Sequence, residues 1–448
     1  MRPDRHSSTA WLGLAALLAV AAACATSPAG PTPAAAPTGD PDVSAPVSIG
    51  AEYAEQARRL SDEPRIRRAF DAIEALEPRT HDDLVALTEI PAPPFAEERR
   101  ALAYLEMLRD AGVDTVYIDE EGNAIGIRRG VEGGHTLVLS GHLDTVFPEG
   151  TDVTVRMRGD TLYAPGVGDD TRGLIVVLTV LRGLNAAGIR TLGDVWFVGT
   201  VGEEGLGDLR GVKHLFREGG PRIDAFISID GGGDRRVVNA GLGSRRYRAT
   251  VSGPGGHSWG AFGLANPAHA LGRAIHRFDM AAAEYVAGGP RTSYNVGVIG
   301  GGTSVNSIPF EAWMEVDMRS VDADRLAGID ALFTETVRSA IAEQNAGRAR
   351  GAALEVDLNL VGDRPSGEID PDTPFVQRTM AAISRFGHDP QLQRSSTDAN
   401  VPIALGIPAV TLGGGGVGGG AHSLDEWWLN VDGHRAIQRT LLLVVMEA

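Results

Sequence analysis

The 448-residue chain has one cysteine, Cys24, and one lysine, Lys213. A single cysteine excludes a disulfide framework, so the fold must rest on its buried core. The lone lysine, with arginine supplying the other cations, carries no mechanistic reading. Positive charge is also short: 41 Lys and Arg against 58 Asp and Glu leave a net charge of −17. That balance argues against a nucleic-acid surface. No apolar run reaches a comfortable membrane span. The nearest, residues 10–23, follows Arg2 and Arg5 and ends in small residues, the layout of a secretory signal.

Residues 1–24 are therefore expected to be a leader outside the fold. Cys24 closes Ala21-Ala22-Ala23-Cys24, which resembles the lipobox of bacterial lipoproteins, although Ala21 stands where Leu or Val is usual. The expectation is an exported, lipid-anchored protein of the cell envelope or periplasm; plain secretion after an Ala-x-Ala site is the alternative. Residues 25–50 are rich in Pro, Ala, Ser, Thr and Gly and read as a disordered tether. The remaining ~400 residues exceed one ordinary core, so two domains are expected. Their content, 43% apolar and 22% charged over the chain, is that of globular protein.

Helices are expected over residues 51–77 and 97–111, the second ending before Gly112. The apolar run at residues 136–139 reads as a buried strand leading into Gly141-His142-Leu143-Asp144. Open α/β sheets place ligands at such strand ends. There His142 suits a metal, with Asp144 fixing the ring or its surroundings; a polar turn is the alternative. Gly166-Val167-Gly168-Asp169-Asp170 precedes a helix-length apolar run, residues 174–184, and its two acids also suit a capping pair. A buried strand at residues 194–201 runs into Gly202-Glu203-Glu204-Gly205. Neighbouring glutamates there project to different sides, one free for metal and one for substrate. Residues 225–229 then lead into Asp230 and glycines. Strand ends of a parallel sheet share one edge, so these groups converge without being sequence neighbours.

From residue 242 to 361 the order strand 244–252, helix 266–280, strand 293–299, strand 311–319, helix 324–345 and strand 354–361 is the ferredoxin-like βαββαβ unit. Asn266 and Pro267 supply an N-cap and a first helical position. His269 and His276 lie on the helix and read as ordinary packing or surface residues. The first domain resumes at residue 362, with Ser395-Ser396-Thr397-Asp398-Ala399-Asn400, a strand at Ala409–Leu412 and the glycine-rich loop 413–420 before His422. A phosphate cradle would suit such glycines, but no Gly-Lys-Ser/Thr follows and the histidine favours metal.

His142 with Asp144, Asp169, Glu203-Glu204, Asp230 and His422, in this order around an inserted domain, resemble the M20 family of metallopeptidases. The resemblance covers roughly residues 80–448. Gly-Asp-Asp, Ile-Asp-Gly-Gly and Thr-Asp-Ala-Asn are most similar to peptidase T-like members, whereas Thr171 departs from a lysine common after the Asp-Asp pair. It implies an α/β, zinc-exopeptidase-like catalytic domain (residues 51–241 and 362–448) with a mixed central sheet flanked by helices, and an inserted dimerisation and lid domain (242–361). It further implies two Zn2+ per subunit, with Co2+ or Mn2+ as alternatives: Asp169 bridging, His142 and Asp230 at one ion, Glu204 and His422 at the other. Glu203 would be the general base and Asp144 would hold the site's geometry. His257 would reach a homodimer partner's active site, and Asn306 and Arg319 would contact substrate. The substrates implied are short peptides, or N-acyl amino acids. A binding lipoprotein on a disabled scaffold is the reading from another class.

Overall fold

Four of the apolar stretches lie side by side and parallel, as strands that bury both faces must. Asp194–Thr200 pairs with Thr136–His142, which pairs with Ala225–Ile229, which pairs with Ala409–Leu412. In the computed structural model, which describes residues 47–448, they form the centre of a nine-stranded mixed sheet. Antiparallel Thr115–Ile118 and Ala124–Arg128 extend one side, and Arg236–Gly241 with Gly367–Glu368 and Gln391–Ser395 the other. Helix Arg172–Ala186 is buried from Arg172 through Leu184, packs on the parallel strands and is covered by Gly433–Glu447 and Pro64–Ala75. The expected leader, Cys24 and most of the tether lie outside the described residues. Among those described, no helix is long and apolar enough to cross a membrane.

Two expectations near the N-terminus need correction. The helix expected over residues 51–77 is two helices, Ala51–Asp62 and Pro64–Ala75, followed by a third, Glu77–Thr88. Pro64 has no N–H to continue the first helix, and it forces Glu63 into an extended conformation (ψ 135°) from which a new helix starts. The tether boundary at residue 50 is also too late. Val47 and Ile49 pack on the main core, and the Gly50 amide donates to Gln377 Oε1 (2.8 Å).

Residues 243–364 form the expected βαββαβ unit. Its strands lie in the order Thr292–Gly301, Glu311–Ser320, Gly243–Ser252, Glu355–Arg364, with helices Pro267–Val286 and Ala323–Ala346 packed together against them. Its core is separate from that of the main sheet and centres on Phe278, Phe333 and Met314. On Glu311–Ser320 the alternation buries Ala312, Met314, Val316 and Met318 and turns Trp313, Glu315, Asp317 and Arg319 to the other face. The last strand runs three residues past the expected limit of 361, to Arg364, which matters for the site. Asn266 caps the first helix as expected, its Oδ1 accepting from Ala268 N (2.9 Å) and His269 N (3.3 Å). Asn266→Ala should therefore cost about 1 kcal/mol, read as a lower thermal midpoint with unchanged turnover.

Beyond these elements, a small sheet that the sequence does not announce joins Val417–Gly419, Trp427–Leu429, Thr161–Tyr163 and Arg156–Arg158. Its central pairing, Trp427 opposite Tyr163, lays the loop carrying His422 beside the loop carrying Asp169.

Candidate metal centre

The C-terminal ends of the four parallel strands open into one cleft of about 520 Å³, lined by Asp169, Glu203, Glu204, Asp230 and His422 among others. His142 ends its strand in register with Thr200, which places it beside the Glu203-Glu204 turn. That turn needs Gly202 at φ +71°, a left-handed backbone, and a Cβ there would also strike Arg210 at 2.6 Å.

Asp169 is the hub. Its Oδ1 lies 3.1 Å from His142 Nε2 and its Oδ2 lies 3.2 Å from His422 Nε2, so one carboxylate faces two imidazoles with different oxygens. Glu204 Oε1 is 2.9 Å from the same His422 nitrogen. His142 Nδ1 faces the Asp144 carbonyl at 3.0 Å, so it must carry the proton. Nε2 is then a bare lone pair pointed at a carboxylate, an arrangement that calls for a cation between them or a second proton on the ring. Donor atoms of three sets, His142 with Asp170 and Asp230, His142 with Glu203 and Glu204, and Asp169 with Glu204 and His422, each fall within 4.8 Å of one another. Imidazole and carboxylate in overlapping clusters fit a metal centre.

The electrostatics follow from crowding buried acids. Burial would lower His142, but the Asp144 and Asp169 carboxylates outweigh it and hold the imidazole well above its ordinary value. The bond to Asp169 raises His422 to about 9. Burial pushes Glu204 up to about 7 and raises Asp230. Asp169 goes the other way, because the two imidazoles overcome its burial. Glu203 is pushed well above the usual carboxylate range by burial, against the pull of Arg364.

Further residues position these groups. Asp144 accepts from the amides of Glu203 (3.0 Å) and Glu204 (2.8 Å), so it orients the glutamate turn as well as the His142 ring. Asp144→Asn should lower metal affinity or turnover roughly 10- to 100-fold, the usual cost of losing such a support, measured by metal titration and initial rates. Asp170 accepts from the amides of His142 (3.0 Å) and Gly173 (3.2 Å). A Cβ on Gly173 would lie 2.2 Å from an Asp170 oxygen, so only glycine fits. The helix-cap reading of Asp170 is thus partly right, but the same carboxylate also holds the end of the strand that bears His142.

Sequence reasoning missed three supports. Glu426 accepts from the amides of Gly166 (2.7 Å), Gly168 (2.8 Å) and Asp169 (2.9 Å), gripping the loop that presents Asp169. Arg364 Nη1 lies 3.1 Å from Glu203 Oε1, and its Nη2 donates to the Glu203 carbonyl. Asp398 accepts from Thr200 Oγ1 (2.5 Å) behind His142. The acid run at residues 425–426 and the Asp-Arg-Pro at 363–365 were visible signals, but nothing local tied them to the cleft.

Of the other expected site residues, Arg319 lines the cleft and His257 and Asn306 do not. His257 ends one strand of a two-stranded ribbon, Gly256–His257 against Ser307–Ile308, and Asn306 immediately precedes the other; Ser258 N donates to the Asn306 carbonyl (2.8 Å) and His257 is exposed.

Acetylornithine deacetylase of Myxococcus xanthus is 28% identical over 74% of this chain and 83% of its own length. Succinyl-diaminopimelate desuccinylase of Corynebacterium glutamicum is 25% identical over 76% and 89%. The crystal structure of aminopeptidase PepT from Bacillus cereus shares the fold, with a TM-score of 0.63 at 23% identity over 82% of this chain and 96% of that one. The family model described as peptidase family M20/M25/M40 matches residues 138–446, the span that holds all the clustered histidines and acids, and the chain belongs to that family of metal-dependent hydrolases.

Proposed function

We propose that this hydrolase uses two zinc ions to cleave the amide bonds of short peptides, with N-acyl amino acids as the second reading. The observation that carries it is Asp169, set between His142 and His422 with a buried glutamate beside the cluster. Asp169 would bridge, His142 and Asp230 would hold one ion, and Glu204 and His422 the other; cobalt or manganese suits the same donors. Bound there, the ions supply Lewis acidity to the scissile carbonyl and to the attacking water. Glu203 takes the water's proton and passes it to the leaving amine, while Arg364 fixes one of its oxygens. Arg319 offers a fork for a substrate carboxylate.

His257 and Asn306 are read as completing the site of a second copy, His257 donating to the oxyanion. Their ribbon projects exposed Trp259 and Val305, and the edge strand Thr292–Gly301 exposes Val298 and Ile299, which favours contact between copies. Mixing His257→Ala with Glu203→Gln chains should recover turnover through hybrid dimers; no recovery in verified hybrids sinks the trans assignment. Export and a lipid anchor on Cys24 are part of the same reading. Palmitate labelling unchanged by Cys24→Ser would remove the anchor.

The substrate question is met by presenting the metal-loaded protein with di- and tripeptides, free and blocked at either end, beside N-acetyl and N-succinyl amino acids. Cleavage of unblocked peptides at higher kcat/KM supports the peptidase reading. A preference for acylated amino acids moves the assignment to the deacylase.

A further inference from the structure

Three of the parallel strands also meet at their other ends, away from the metal cleft. A cavity of about 480 Å³ lies there, lined by His135 just before Thr136–His142, Asp224 just before Ala225–Ile229 and Pro408 just before Ala409–Leu412. That volume falls in the range of roughly 300–1,000 Å³ typical of small-molecule sites. Helix Pro374–Arg385 supplies Phe375 and Arg378, and helix Gly433–Glu447 supplies Glu447 from its last turn. No histidine or acid of the metal cleft takes part.

Ile369, Phe375 and Pro408 give this cavity an apolar wall. Three polar side chains that also line it have unmet needs. Among the described residues, Glu447 Oε1, Arg378 Nε and His135 Nε2 are buried without a hydrogen-bond partner. Each has given up its hydration for nothing unless a partner comes from outside the chain. Glu447 is the sharpest case. Its side chain is 7% exposed, and the partner of its Oε2 is Arg378 Nη1 at 3.0 Å. Burial pushes its carboxyl up to about 7 against the pull of that arginine, so the one cation beside it does not offset the loss of water.

Charge limits what can enter. Asp224 accepts from Arg222 Nε (2.8 Å) and from the Thr136 amide (2.9 Å), Glu368 pairs with Arg394, and Glu447 pairs with Arg378. Asp370 accepts from the Asp372 amide (2.8 Å) and has no such cation. With His135 neutral, one acid is left unbalanced, and the wall favours a neutral or singly positive guest over an anion. The unmet groups are of both kinds: Glu447 Oε1 needs a donor, Arg378 Nε needs an acceptor, and His135 Nε2 takes either. An ammonium and a carboxylate on one apolar frame meet both needs and add no net charge.

We propose that this cavity is a second binding site, for a free α-amino acid with an apolar side chain: its ammonium on Glu447, its carboxylate toward Arg378 and His135, its side chain on Ile369 and Phe375. The site is independent of the chemistry at the metal cleft.

The test sets leucine beside isoamylamine and isocaproate, which lack its carboxylate and its amine in turn, in calorimetry on the metal-loaded full chain. Leucine should bind at least about tenfold more tightly than either, the scale of a charged hydrogen bond. The metal cleft also offers groups to an amino acid, so hydrogen exchange locates the ligand, with protection expected over residues 368–378 and 441–447. Glu447→Gln should raise the leucine Kd of this site at least about tenfold and leave turnover at the metal cleft unchanged. Absence of leucine binding, equal binding of the three probes, protection confined to the cleft loops 202–205 and 413–422, or native leucine affinity in the Glu447→Gln protein overturns the inference. Should that variant fail to fold, the exchange pattern and probe series of the native chain decide.

Discussion

Glu203→Gln should cut kcat by about two to four orders of magnitude while metal content and melting temperature stay at the native level. Glutamine has the same size, and its carbonyl can still accept from Arg364 Nη1, which now lies 3.1 Å from Oε1. The fully buried surroundings therefore keep their shape. What is lost is the ability to take a proton and give it back. The decisive comparison is initial rate against bound metal per chain, measured on the same preparation. Undiminished turnover would remove Glu203 from the chemistry. Loss of a metal equivalent would make it a ligand instead, a role its proximity to His142 and Glu204 permits.

Stripping the metals with a chelator should abolish turnover and lower the thermal midpoint, and returning zinc should restore both. The physical reason is the repulsion among Asp169, Glu204 and Asp230 once no cation lies between them. Each site held at a hundredfold over its Kd adds about 2.7 kcal/mol to the folded state. The pH dependence has a definite sign. Burial raises Glu204 to about 7 and Asp398 to about 6 in the folded chain. A raised carboxyl pKa contributes stability fully below its unfolded value, and that contribution is lost as pH rises through the folded value. His422, raised to about 9, loses its contribution in the same direction, above its ordinary value. The stripped protein should therefore weaken from about pH 4 to 9, and the gap between its midpoint and that of the loaded protein should widen over that range. Calorimetry at pH 5, 7 and 9 checks this; a gap that shrinks as pH rises would show that these carboxyls are not the groups the cations relieve.

How much was legible beforehand differs by element. The four apolar strands, each ending in an acid, a histidine or glycines, were readable because buried parallel strands must be apolar on both faces and their polar residues can stand only at the ends. The βαββαβ unit was readable for the same kind of reason, since the alternation of residues 311–320 and the Asn266-Pro267 helix start are local rules. The break at Pro64 was also local, but it was passed over because the amphipathic pattern continues on both sides of it. Glu426, Arg364 and Asp398 were not readable as site residues. Each acts through a contact with a residue 161 to 260 positions away, and no local signal encodes such a pairing.

The sequence by itself determined that His142, Glu203, Glu204 and Asp230 stand at the ends of buried strands and so converge, while Asp169 and His422 entered the set through the family resemblance and are brought in by loops that a small sheet lays together. Only the tertiary structure decided which oxygen of Asp169 faces which imidazole, that Arg364 reaches Glu203 from the inserted unit, and that Asp317 is shared between two arginines. Those facts depend on how two separately built sheets meet, and charges and distances across such a junction are set by packing rather than by any run of residues.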